Sequence, residues 1–145
     1  MIAREFPFTA AESEDISAAL RTYHAKISSR GNKPWYKHVD LRRVLTSILG
    51  GDSMSALVDG YLVVYDIGET WYSPHKVLEE VMVIRIYPGG DFLQVPKFLE
   101  SKAKAHGCAM VCVGTALARS DAALIKIYGR SGYQVAAVQL TKTIL

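Results

Sequence analysis

The chain has 145 residues, half of them hydrophobic and 21% charged. That supports one domain over residues 1–145 and excludes both a disordered chain and two domains of ordinary size. No apolar run approaches the ~18 residues of a membrane span, and MIAREFPFTAAESEDIS lacks the apolar stretch of a signal peptide, so a cytoplasmic protein without membrane association is expected.

The net charge is +3. Residues 1–72 carry eight Lys/Arg against nine Asp/Glu, and residues 73–145 carry nine against five, so the surplus lies in the second half. A charge this small steers weakly and argues against a nucleic-acid protein. Arg30, Lys33, Lys37, Arg42 and Arg43 do cluster around Trp35 and Tyr36, with Asp40 opposing. The patch is short and carries no recognition motif. The two cysteines, Cys108 and Cys112, lie in a strand-like run. Four residues apart on a strand is ~13 Å, too far for a disulfide. No metal-ligand spacing appears, and the four histidines are scattered.

In chain order, residues 3–8 form a candidate first strand. Residues 11–28 predict a helix, with Ile16, Leu20 and Tyr23 at helical spacing and Glu12, Glu14 and Asp15 in the first turn. SSRGNKPWY is a loop. A second helix over about 38–49 ends at Gly50-Gly51. Residues 53–58 and 61–67 are strands joined at Asp59-Gly60, a strong hairpin signal. VLEEVMVIRIY (77–87) becomes almost continuously apolar from Val81, as a central strand covered on both faces requires. Pro88-Gly89-Gly90 stops it. Residues 91–106 predict a helix capped by Gly107, and Pro96 fits it only if the helix starts within a turn of that residue. Residues 108–117 form the next strand. Ser120 caps a helix over 121–131. YQVAAVQLTKTIL reads as a final strand or a bent pair of strands.

The order is β-α-α-β-β-β-α-β-α-β. The strand-helix-strand unit implies a parallel pair. The fold class is therefore α/β (α+β): a mixed, mostly antiparallel sheet with helices on both faces.

That order resembles the GNAT superfamily of acyl-coenzyme A-dependent N-acyltransferases. Two segments carry the resemblance. LIKIYGRSGY (124–133) is similar to the family's helix-to-strand segment, with Ile127-Tyr128 and Gly132-Tyr133 at its marked positions. VMVIRIYPGGDF (81–92) is similar to the central strand running into the pyrophosphate loop. Counting back from Gly107 places Gly90 on the loop's first glycine, Tyr87 on its Arg/Gln position and Phe92 on its second glycine. Aligning from Ile86-x-Pro88 instead leaves no glycine inside the loop.

The resemblance implies an N-acetyltransferase that moves an acetyl group from acetyl-coenzyme A to an amine by direct attack, with no metal. Gly89, Gly90, Asp91 and Phe92 would form the loop before a helix whose free amides hold the pyrophosphate. The backbone of Ile84, Arg85 and Ile86 would pair with the pantetheine arm, and the strands would splay near Ile86. Tyr128 matches the tyrosine that protonates the departing thiolate, and Asp121 stands where many relatives carry Asn. Glu79 and Glu80 lie where relatives place a general base, and strand alternation lets at most one serve. The acceptor would be a small-molecule or protein amine.

An alternative is a catalytically inactive protein of the same fold, acting in protein interaction or in a virion or assembly. The short GGDF loop and the Lys-containing end, LTKTIL, loosely resemble small GNAT-like proteins of tailed phages. That reading brings a virion location and a virion or host protein partner. With only residues 132–145 left after the last helix, completion of the sheet by a second subunit in a homodimer is a further expectation.

Overall fold

The computed structural model describes residues 3–145. Five strands form one sheet in the order β1-β2-β3-β4-β5. They are β1 (Ala3–Glu5), β2 (Met54–Val58), β3 (Tyr61–Thr70), β4 (Ser73–Arg85) and β5 (Cys108–Cys112). The first three pairings are antiparallel, and β4 and β5 are parallel, with the helix Gln94–Ala105 as their crossover. The four helices are α1 (Ala10–Ser28), α2 (Leu41–Leu49), α3 (Gln94–Ala105) and α4 (Asp121–Gly129).

Period-two alternation sets the two faces of the sheet. On β2 and β3, Ala56, Val58, Tyr61, Val63 and Tyr65 turn toward α3, where Val95, Phe98 and Leu99 meet them. The intervening Leu57, Leu62 and Val64 turn toward α1 and α2, against Ile16, Leu20 and Ile48. Because both faces are covered, the central strands read as unbroken apolar runs.

Local chemistry fixes the ends. Thr9 caps α1 in a reciprocal box: the Glu12 amide donates to the Thr9 hydroxyl and the Thr9 amide to the Glu12 carboxylate. A 3₁₀ turn over Pro34–His38 replaces the expected start of the second helix, and α2 begins after its Asp40 cap. Pro96 lies in the first turn of α3, where its missing amide removes no intrahelical bond. Asp59 and Gly60 both have positive φ, 44° and 86°, as a two-residue turn of type I′ requires.

Three expectations change. The strands expected over 61–67 and 77–87 are extended toward each other, because β3 runs to Thr70 and β4 starts at Ser73, making one long hairpin around Trp71 and Tyr72. The strand expected over 108–117 ends at Cys112. The final strand is not formed: residues 134–145 join no sheet. Among the described residues, no helix is long and apolar enough to cross a membrane.

Candidate active site

The site arises from a break in β4. Tyr65 pairs with Glu80 and Val64 with Met82, which leaves Val81 as an extra residue in β4. Such a bulge reverses the alternation beyond it. Leu78 faces α3, yet Met82 and Ile84 face α1 and α2 while Val83 faces α3. Pairing of β4 with β5 ends at Glu79 and Cys112, just before the bulge. The strands therefore part about six residues earlier than the expected splay near Ile86.

The gap is an open slot of about 880 Å³, lined on one side by Glu80, Val81, Met82, Val83 and Arg85 and on the other by Gly114, residues 116–120 and α4. Glu80 spans its inner end, where its Oε2 accepts from the Gly114 amide at 3.0 Å. Burial raises its pKa to about 7, against the opposing pull of that amide. Glu79 is exposed on the neighbouring position and does not line the slot. Of the two carboxylates, only Glu80 is placed to act there.

Tyr128 faces Glu80's side of the slot from α4 and is 5% exposed. Its ring packs edge-on against Phe92 at 5.4 Å and tilted against Tyr133 at 5.3 Å. Phe92 in turn meets Tyr61 at 5.5 Å. Burial, and then the charge of Glu80, raise the Tyr128 pKa, so the hydroxyl keeps its proton throughout the neutral range. Tyr133 begins the last segment with a buried hydroxyl that makes no hydrogen bond, and burial together with nearby Glu100 pushes its pKa to about 12.

The remaining predicted site residues divide. Arg85 lines the slot, and its guanidinium donates to the Tyr61 hydroxyl at 2.6 Å. Ile84 is buried, and Ile86 packs beside it against α1 and α2. The Ile86 amide, expected to pair with a pantetheine arm, donates instead to the Gly60 carbonyl at 2.8 Å. Asp121 holds Lys33 Nζ at 2.8 Å and so ties α4 to the loop before the 3₁₀ turn.

The glycine loop differs most from expectation. Gly90 is pressed so closely on the β2–β3 turn that a Cβ there would lie 1.7 Å from the Asp59 carbonyl oxygen. The Asp91 amide donates to Asp59 Oδ2 at 2.8 Å, and the Leu93 amide to Asp91 Oδ1 at 3.0 Å. The Gln94 and Val95 amides donate to the Asp91 and Phe92 carbonyls, and Pro96 has none. The start of α3 is thus satisfied by its own chain, with two carboxylates where an anion would otherwise sit. Phe92 lines the slot instead of cradling a phosphate.

Sequence reasoning missed Gly114, Val81 and the second role of Asp59. It also missed Arg119 at the slot, which belongs to no recognisable motif, while Arg30, singled out in the basic cluster, lines the slot as well. Asp59 gave one signal, a hairpin turn, that hid the other. Among the described residues, no group of His, Cys, Asp and Glu side chains has the arrangement of a metal site.

Solved structures share this architecture from end to end. A tetramutant of the BH1408 protein from Bacillus halodurans superposes with a TM-score of 0.67 at 16% identity, covering 99% of this chain and 100% of that one. Glucosamine-6-phosphate N-acetyltransferase from Arabidopsis thaliana gives 0.59 at 14% identity, covering 99% of each chain. The fold is that of the GNAT acetyltransferases. An aminoglycoside acetyltransferase from an uncultured soil metagenomic sample, another GNAT-fold neighbour, gives 0.59 at 12% identity over 100% of each chain. No family model matches the sequence, and no curated protein matches it. At these identities the likeness carries the GNAT fold and leaves the chemistry to the residues.

Proposed function

We propose that the chain is an N-acetyltransferase that uses the slot between β4 and β5 to bring an acetyl thioester, of the acetyl-coenzyme A type, against an amine. One observation carries this reading: Glu80 and Tyr128, a carboxyl near neutrality and a protonated phenol, line the same open slot where the strands part. The residues fit the reacting end of such a donor. They do not fit its diphosphate at the start of α3, where Asp59 and Asp91 already use the amides.

When bound, the thioester supplies the acyl group. Glu80, as carboxylate, takes the proton from the ammonium so that the amine lone pair can attack. A pKa near 7 balances proton affinity against the fraction ionised at neutral pH. The Tyr128 hydroxyl donates to the sulfur as charge develops there. Its raised pKa ensures that a proton is present, and the neighbouring rings hold it in place. Arg30, Arg85 and Arg119 give the slot a positive rim suited to an anionic portion of donor or acceptor.

Release of free thiol from acetyl-coenzyme A, measured across a panel of small amines and amine-bearing peptides, tests the reading. Amine-dependent release that falls with Glu80→Gln and Tyr128→Phe supports it. The closed start of α3 favours a second reading, a protein of this fold that binds a partner without catalysis. That reading expects no amine-dependent release with any acceptor.

A further inference from the structure

Resting on the acetyltransferase reading above, we propose that the slot recognises its donor by the acyl-pantetheine arm alone, so that the donor class is pantetheine thioesters lacking a nucleotide diphosphate. One part of the slot is built to take an extended amide chain, and its neighbour is closed to a diphosphate.

The receptive part is the edge of β4. Pairing with β5 stops at Glu79 and Cys112, while pairing with β3 continues to Arg85. From Glu80 to Arg85 the strand has a partner on one side only, which leaves backbone amides and carbonyls facing the slot. A pantetheine arm is an extended chain interrupted by amide groups, and it can add to such an edge as a short strand would. Val81, Met82, Leu124 and Ile127 supply apolar flanks for its methylene and methyl groups, and Glu80 and Tyr128 line the slot with them.

The closed part is the start of α3, next to Phe92 in the slot lining. Its amides are already in use. Asp91 donates to the Asp59 carboxylate, Leu93 to the Asp91 carboxylate, and Gln94 and Val95 to the Asp91 and Phe92 carbonyls. A diphosphate placed there meets two like charges as well as occupied donors. The loop and the β2–β3 turn also touch at Gly90, so no gap between them would admit a phosphate. The slot's cations do not replace those amides. Arg85 is turned onto Tyr61, donating to its hydroxyl and lying over its ring at 5.2 Å. Arg30 and Arg119 belong to the wall where Lys33 is tied to Asp121.

Transfer runs as before on the shorter donor. The amine nitrogen bonds to the acyl carbon and the carbon–sulfur bond breaks. Glu80 takes the ammonium proton, and Tyr128 gives one to the departing pantetheine sulfur.

Calorimetric titration and thiol-release kinetics with acetyl-coenzyme A and with S-acetyl-pantetheine, on the full chain and on Asp59→Asn, test the proposal. The parent should bind the two donors within about fivefold of each other and use them with similar kcat/KM, because the nucleotide end adds nothing. Asp59→Asn keeps an oxygen for the Asp91 amide and removes the charge. It should tighten acetyl-coenzyme A by about threefold and leave S-acetyl-pantetheine unchanged. Acetyl-phosphopantetheine on an acyl carrier protein is a third arm: faster transfer from it than from S-acetyl-pantetheine supports a carrier-borne source of the arm, and equal or slower transfer supports a free one. Acetyl-coenzyme A bound more than about fivefold tighter by the parent overturns the proposal and leaves the acetyltransferase reading standing. An Asp59→Asn effect shared by both donors, or absent from both, also overturns it. Binding of neither donor removes the proposal and the acetyltransferase reading together.

Discussion

Asp59 Oδ2 lies 2.8 Å from the backbone nitrogen of Asp91 and accepts its proton across the junction of the β2–β3 turn and the start of α3. This bond fills with a carboxylate the place where the GNAT resemblance implied a coenzyme diphosphate. Asp59→Ala removes the charge and frees the amide. Its affinity for acetyl-coenzyme A should rise, by about threefold to tenfold if the freed amide and the lost repulsion contribute about 1 kcal/mol. Losing a capping bond should lower stability by about 1 kcal/mol. Paired calorimetric titration and thermal melting check both.

Gly90 packs against the same turn. Gly90→Ala places a methyl 1.7 Å from the Asp59 carbonyl oxygen, so the loop and the turn must separate. The expected loss is about 2 kcal/mol or more, from overpacking. Gly89→Ala meets open space but has a positive φ of 88°, so its loss should be nearer 1 kcal/mol. Chemical denaturation of the two variants checks the order.

β2 and β3 were legible as two short apolar runs joined by Asp59-Gly60, which announces their turn chemically. The helix start at Ser120 was legible from its capping side chain, whereas the caps at Thr9 and Asp40 were missed and the second helix was expected from about 38. The bulge at Val81 was not legible. A strand apolar on both faces reads the same before and after its alternation reverses, so the slot seemed to open near Ile86. Tyr128 was legible from its motif, whereas Gly114 reaches Glu80 only through the crossover. The last segment reads as a strand because its residues favour one, yet it joins no sheet.

Glu80 sets the response to pH. Its folded pKa of about 7 lies above the ordinary 4.5, so its stabilising contribution is full below pH 4.5 and disappears as pH rises through 7. Glu80→Gln should therefore match the parent near pH 4 and exceed it at pH 8 by about 1–3 kcal/mol, while still accepting the Gly114 amide. Denaturant midpoints at the two pH values check this. In the parent, acetyl transfer should decline as pH falls below about 7, and in the variant it should be low throughout.

Tyr128→Phe keeps the ring between Phe92 and Tyr133 and removes only the hydroxyl. Turnover should fall by about 100-fold, the usual scale for loss of a positioned proton donor, while donor affinity changes little. Steady-state kinetics on the variant, with a titration alongside, separates the two.

Calorimetric titration of the full chain with acetyl-coenzyme A tests the slot most directly. The account predicts saturable but weak binding, with a Kd of about 0.1–1 mM because α3 gives the diphosphate no free amide. The absence of both heat and thermal stabilisation at millimolar acetyl-coenzyme A would contradict it.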